Sequence, residues 1–207
     1  MFSKQLGSTL EKVNLVQCLS QTYKIFEFQL GDSIVSLPAS SKQNGDEQSV
    51  KNLYIVCKGR VRLLSFDAER QREVSTQLLT EEETFGGDSL FCEDPLPYRA
   101  IAASQLQVAQ VPLDQLQKLE ELLEWQKNSL VEAAQHRQCL IFIKSATTLR
   151  SLPSSRLQQL SFYLQQQRID AGEYLAQATP SEAGRFWLRS GEIQTNSQTL
   201  EVGSDWG

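Results

Sequence analysis

The stretch ETFGGDSLFCEDPLPYRAIA, Glu83 to Ala102, brings a glycine pair and a solitary arginine into one short segment. Gly86 and Gly87 carry no Cβ, so the backbone there can turn tightly and approach a bound group closely. A helix starting near Asp88, Ser89 and Leu90 aims unpaired N–H groups outward, an arrangement that attracts anions. Arg99 adds a planar guanidinium able to donate two parallel hydrogen bonds, and Ala100 beside it supplies no hydroxyl. The chemistry implied is recognition of a small anion by Gly86, Gly87, Asp88, Ser89, Leu90, Arg99 and Ala100. The same residues have plainer readings: the glycines as turn residues, Asp88 as a helix N-cap, Arg99 as an ion-pair partner of Glu93, Asp94 or Asp88, and Tyr98 and Phe91 as core side chains.

Catalytic and metal chemistry find little to stand on. His136 is the single histidine, so a metal cluster of histidines or a nucleophile–histidine catalyst would have to be built around it alone. It lies in EAAQHRQCL, which reads as a helix that leaves the imidazole solvated. Cys18, Cys57, Cys92 and Cys139 are scattered without a C-x-x-C pair, which points to reduced core thiols rather than disulfides or zinc. The net charge of −5 removes the broad positive field that nucleic-acid binding needs. No apolar run is long enough to span a bilayer, and Met1 to Ser20 is too polar for a secretory signal. A cytoplasmic location is the expectation.

The elements that would hold this segment are mostly short strands. Leu10 to Ser20 has the spacing of an amphipathic opening helix. YKIFEFQLGDSIVSL alternates and turns at Gly31-Asp32, Ser40 to Ser49 is a polar loop, and LYIVCKGRVRLLSF is a strand pair turning at Lys58-Gly59. Asp67 to Leu79 is a charged hairpin tip returning through Val74, Thr76 and Leu78, and LQVAQVPL supplies a final strand. From Pro112 the period turns helical through Leu113, Leu116, Leu119, Leu123, Leu130 and Ala134, as one long helix or two with a bend near Trp125. Ser151 to Arg168 opens another helix with Leu157, Leu160 and Leu164 on one face. The fold class expected is α+β, mainly β: an antiparallel β-roll of the double-stranded jelly-roll type with flanking helices.

The series of signals then restarts. FQLGDSIV (Phe28 to Val35) lies over IDAGEYLA (Ile169 to Ala176), YIVCKGRV (Tyr54 to Val61) over FWLRSGEI (Phe186 to Ile193), and TFGG (Thr84 to Gly87) over the terminal DWG. The spacing between partners shortens from one match to the next, at the polar loop and the hairpin tip, as indels confined to loops require. The expectation is a first unit over residues 1–145 and an incomplete second roll over 146–207, in a chain that is a fragment of something longer.

These motifs, G-D/E, then Y-I-V-x-x-G-x-V, then F-G, then R-A, resemble the cyclic-nucleotide-binding domain family over residues 8 to 145. The resemblance implies that Phe85 to Ala102 is a phosphate-binding cassette, in which backbone N–H groups and Arg99 hold a cyclic phosphate. It also implies a glutamate after the phenylalanine-glycine pair to accept a ribose hydroxyl, but Gly87 stands there and Asp88 comes one residue late. Losing that acceptor costs about 1.5–3 kcal/mol, on the order of tenfold to a hundredfold in affinity. Two functions compete. One is a noncatalytic regulatory or interaction module with a degenerate pocket, which docks or gates a neighbouring domain of the same longer polypeptide or dimerises through helices 112–144. The other is a sensor that binds cAMP, cGMP or another small anion through Gly86, Gly87 and Arg99. The tandem arrangement is similar to the N-terminal region of bacterial peptidase-containing ABC exporters, notably cyanobacterial ones. Another roll, rather than a basic helix-turn-helix, follows the first, so a DNA-binding role is not expected.

Overall fold

A computed structural model describes residues 23–36, 52–114, 124–174, 184–195 and 198–207. The expected opening helix, the polar loop, Cys18 and the helical stretch 115–123 lie outside the described residues. Side chains of 124–127 are also outside them, and the expected bend near Trp125 falls at that edge.

The strands are β1 (Lys24–Phe28), β2 (Ser33–Ser36), β3 (Asn52–Lys58), β4 (Val61–Asp67), β5 (Arg72–Leu79), β6 (Thr84–Gly86), β7 (Arg99–Ala102) and β8 (Leu106–Pro112). They form two antiparallel sheets, one ordered β1-β8-β3-β6 and the other β2-β7-β4-β5. Alternation decides which face is buried. Along β4, Val61, Leu63, Ser65 and Asp67 are buried while Arg62 and Phe66 are exposed. Along β7, Ala100 and Ala102 are buried between the less buried Arg99 and Ile101. The inward residues of both sheets, including Tyr54, Val56, Val61, Leu63, Leu79, Phe85, Tyr98, Ala100, Leu106 and Val108, make one core with Ile141. A short helix α1 (Asp88–Phe91) sits between β6 and β7, a long helix α2 (Glu124–Ala146) follows the roll, and a 3-10 turn (Thr148–Ser151) leads to α3 (Ser154–Ser161).

Two details refine the expectation. Strand β1 has no fully buried residue, with Ile25 56% and Phe26 40% exposed, and among the described residues it pairs with β8 alone. Pro112 closes β8 opposite Asn52, where its missing N–H is no loss, and Leu113 and Asp114 directly after it are helical.

After α3 the described residues contain strands of two residues each: β9 (Phe186–Trp187), β10 (Ile193–Gln194), β11 (Thr199–Leu200) and β12 (Asp205–Trp206). They pair as β9 with β12 and β10 with β11, and do not close a second roll. Their registers nevertheless follow those of the first. Tyr54 opposes Phe85 and Ile55 opposes Thr84; Phe186 opposes Trp206 and Trp187 opposes Asp205. Val61 opposes Leu79, and Ile193 opposes Leu200. Val56 N–H donates to Glu83 O and receives Glu82 N–H on its own carbonyl; Leu188 does the same with Ser204 O and Gly203 N–H. Rings stack at 5.0 Å for Tyr54–Phe85 and 5.7 Å for Phe186–Trp206. The turns recur too, with Gly31 at φ 92 and Gly172 at φ 88, each followed by a residue whose N–H reaches back three positions, Asp32 to Gln29 and Glu173 to Asp170.

Phe85 is fully buried and its ring stacks on Tyr54. Phe85→Ala is expected to lower unfolding stability by about 3–5 kcal/mol, read as a shift in urea midpoint by circular dichroism. A loss under about 1 kcal/mol, the range of volume-conserving swaps, would mean that this ring is not central to the core.

Candidate functional site

The cassette is built where β6 runs into α1. Gly86 is at φ 79 and Gly87 at φ 68, conformations that L side chains resist. A Cβ on Gly86 would lie 2.6 Å from the Asn52 carbonyl oxygen of β3, and one on Gly87 would lie 3.1 Å from Leu113 Cδ2 with Leu53 and Phe91 behind it. Both glycines therefore answer to close packing inside the chain. A glutamate at position 87 would meet backbone strain and apolar neighbours together.

The expected site residues divide between two places. Gly86, Gly87 and Asp88 are buried, Ser89 and Leu90 are exposed beside them, and Ala100 lies in the core. Gly87, not Asp88, is the N-cap of α1, and it makes no side-chain cap. Asp88 instead turns inward and is 2% exposed. Its Oδ2 accepts the Tyr98 hydroxyl at 2.7 Å, and its Oδ1 accepts Arg137 Nε at 2.9 Å and Gln138 Nε2 at 3.1 Å. The Tyr98 oxygen in turn accepts Gly86 N–H at 2.8 Å. A cassette amide expected to face an anion is thus occupied by a phenol of the same loop.

Arg99 stands apart. Alternation along β7 sends Ala100 and Ala102 inward and leaves Arg99 outside with Ile101. There its Nε and Nη2 donate to the two carboxylate oxygens of Glu73 on β5, at 3.0 and 2.6 Å. Neither Glu93, Asp94 nor Asp88 is its partner, in contrast to the plainer sequence reading. Glu93 pairs with Arg168, and the Asp94 carbonyl accepts Arg189. The hydrogen bond from Arg99 holds the Glu73 carboxyl below its usual range. Both side chains are about two fifths exposed, so the pair contributes little to stability.

The residues that complete the inner network, Arg137 and Gln138, come from α2. Arg137 is 2% exposed; it also donates to Thr84 O at 2.7 Å and lies over the Tyr98 ring. Burial alone would lower its pKa, but Tyr98 and Asp88 hold it above the ordinary value. Burial likewise drives the Tyr98 phenol far upward, so it is a neutral donor. Gln138 ties the next loop, accepting Leu96 N–H at 2.6 Å and donating to Leu96 O at 3.3 Å. A signal for both was present in the sequence: Arg137 and Gln138 fall on the helical stripe between Ala134 and Ile141, where a charge must be paired.

The remaining candidates fare differently from their expectations. His136 is half-buried rather than solvated: its ring stacks on Phe162 at 4.7 Å, and burial lowers its pKa. Cys57 is exposed rather than a core thiol, while Cys92 and Cys139 are half-buried and free. Among the described residues, no group of His, Cys, Asp and Glu is arranged to hold a metal ion, and no helix is long and apolar enough to cross a membrane.

Comparison with known proteins places this geometry. Residues 43–121 match the family model of the cyclic nucleotide-binding domain. A transcriptional regulator of the crp/fnr family from Eubacterium rectale superposes with a TM-score of 0.50 at 14% identity, covering 66% of this chain and 60% of that one. The c-di-GMP responsive global regulator CLP of Xanthomonas campestris gives 0.48 at 17% identity, covering 64% and 62%. A cyclic nucleotide-binding-like protein from Brucella abortus gives 0.39 at 15% identity, covering 51% and 82%. This chain thus spans 60% and 62% of the length of the first two regulators. No curated protein sequence matches it. The fold is therefore a mainly β, antiparallel roll of the cyclic-nucleotide-binding type with flanking helices.

Arg137→Ala leaves a buried carboxylate without its cation and is expected to cost about 3–5 kcal/mol, with Asp88→Asn the milder variant; urea unfolding checks both. His136 gives a pH test. Its folded pKa lies below the ordinary 6.5, so the unfolded chain binds the extra proton first. The imidazole's contribution is complete above about pH 6.5 and is lost as pH falls through the lowered folded value. Between about pH 7 and 5 the melting temperature of the wild type should fall further than that of His136→Gln. Parallel pH profiles would exclude this coupling.

Proposed function

We propose that the chain is a noncatalytic regulatory or interaction module, in which a cyclic-nucleotide-type pocket is satisfied from within and the roll docks or gates a neighbouring domain. The observation that carries this reading is the Tyr98 hydroxyl, seated between Gly86 N–H and the Asp88 carboxylate. A phosphate seeking that amide would have to displace a buried phenol and come to rest beside a buried carboxylate. Arg99, the expected phosphate ligand, is committed to Glu73 on the outer face.

The division into a unit over 1–145 and a second over 146–207 is part of the proposal. It is supported by the matching registers of β3/β6 with β9/β12 and of β4/β5 with β10/β11. Neighbouring domains of a longer polypeptide are the proposed partners. The buried face of α2, with Ala134, Leu140, Ile141 and Ile143, is spent on this chain's own packing, which weighs against dimerisation through the described part of 112–144. The net charge of −5 weighs against nucleic acid.

The family match over residues 43–121 supports a second reading, a sensor of cAMP, cGMP or another small anion through Gly86, Gly87 and Arg99. Calorimetric titration separates the two. The module reading expects no saturable heat with either nucleotide, a Kd weaker than about 1 mM, for wild type and Arg99→Ala alike. Saturable binding that Arg99→Ala abolishes would establish the sensor and overturn the filled pocket.

A further inference from the structure

We propose that residues 184–207 clamp the first roll, closing on the C-terminal end of α2 and on the loop that follows the cassette. The inference rests on the reading of 146–207 as a second unit, and it makes that unit the neighbour to which the roll docks.

The repeat register locates the contacts. Leu188 corresponds to Val56, since each exchanges both main-chain groups with the turn before the next strand. Gly203 then stands where Glu82 stands in the first roll, and Arg189 where Cys57 stands. Glu82 and Cys57 are both exposed. Their counterparts both reach the first roll.

Gly203 reaches α2. Its φ is 91 and that of Glu82 is 71, so this turn can carry a side chain, although the left-handed backbone disfavours one. The neighbour is what forbids it at Gly203. A Cβ there would lie 2.1 Å from Ala146 O and 3.2 Å from Ala146 C, and Ala146 is the last residue of α2. The obstacle is main chain, which no side-chain rotation relieves. Gly203 is therefore matched to the end of the helix, beyond what its own turn requires.

Arg189 reaches the loop. Its Nη2 donates to Asp94 O at 2.9 Å, and Arg168 Nη1 pairs with the adjacent Glu93 at 2.6 Å. The second pair is about three quarters exposed and adds little strength, but it falls on the same loop. Two residues past Asp94, Leu96 is held from within by Gln138 of α2 at both main-chain groups. Helix and loop are thus tied twice, inside by Gln138 and outside by a segment that touches both Asp94 and Ala146.

Two thiols lie beside this contact. Burial pushes Cys92 and Cys139 up, Cys139 to about 11, while the Arg189 guanidinium draws both the other way. Both are half-buried and free, so they report on departure of the segment.

The test uses the whole chain and two readouts. The first is the rate at which iodoacetamide alkylates Cys92 and Cys139, followed by peptide mass spectrometry against the exposed Cys57. Gly203→Ala should raise both rates by at least about fivefold, because undocking uncovers the thiols and lets their pKa fall. Gly191→Ala is the control. Its φ of 82 imposes similar backbone strain, but a Cβ there meets nothing within 4 Å, so the rates should stay at the wild-type value. The second readout is amide hydrogen exchange in Arg189→Met, a change outside the apolar core; the Leu96 amide should exchange at least about threefold faster. Slowed exchange at Leu188 is expected throughout the wild-type measurements from its bond to Ser204 O. With Leu188 protected, unchanged thiols in Gly203→Ala or an unchanged Leu96 amide in Arg189→Met would overturn the clamp and leave the second unit standing. Fast exchange at Leu188 in the wild type would overturn the second-unit reading and the clamp with it. Equal acceleration by both glycine variants would assign the effect to strain within the segment, and would likewise overturn the proposal.

Discussion

The buried carboxylate of Asp88 is the constraint from which the arrangement of this molecule follows. A charge removed from water must be met by donors or it destabilises the fold by several kcal/mol. Here the donors come from two distant places, Tyr98 on the approach to β7 and Arg137 with Gln138 on α2. Each donor has a further obligation: Tyr98 to Gly86, Arg137 to Thr84 O, and Gln138 to both main-chain groups of Leu96. The cassette, the loop after it and the helix that follows the roll are therefore one polar unit set into an apolar core. Moving any of them exposes an unpaired buried group on another, which is how a local event at α1 is tied to the position of α2.

A second tie closes the far end of the same helix. Asp67, fully buried at the end of β4, accepts the N–H groups of Glu69 and Arg70 and the guanidinium of Arg150, which also pairs with Glu69. Lys144 reaches Ser75 O on β5. Arg150 belongs to the 3-10 turn that connects α2 to α3, so the helix is held at its middle by Asp88 and just beyond its end by Asp67. Swinging it away means opening two buried charge sites together. That geometry favours a helix that stays with the roll over one that moves freely.

Much of this was legible in the residues and some was not. The strands of the roll follow from period-two alternation, and the turns from Gly31, Gly59, Gly172 and Gly191, each at positive φ. Alternation misled at β1, where no residue is fully buried. The glycine pair was read either as ligand backbone or as turn residues; its close approach to β3 and to Leu113 involves elements distant in sequence that neither reading named. Glu73 escaped notice because it meets Arg99 only after two β-strand pairings bring β5, β4 and β7 side by side. Arg137 was passed over, and its position on the apolar stripe between Ala134 and Ile141 was the overlooked clue. His136 was misjudged because the ring that covers it, Phe162, belongs to a later element.

The recurrence in residues 184–207 sharpens what a glycine in this fold reports. Gly86 and Gly207 both end a short strand opposite a carbonyl that leaves no room for a Cβ, Asn52 O in one case and Gly184 O in the other. Since both segments need the glycine for strand contact, its presence carries no information about a ligand. What distinguishes a binding cassette is the destination of the N–H groups around it. In the first roll Gly86 N–H is donated to Tyr98, and Arg99 is paired with Glu73. The Tyr98 hydroxyl, by joining Gly86 N–H to the Asp88 carboxylate and through it to Arg137, makes the junction of cassette and helix one hydrogen-bonded unit.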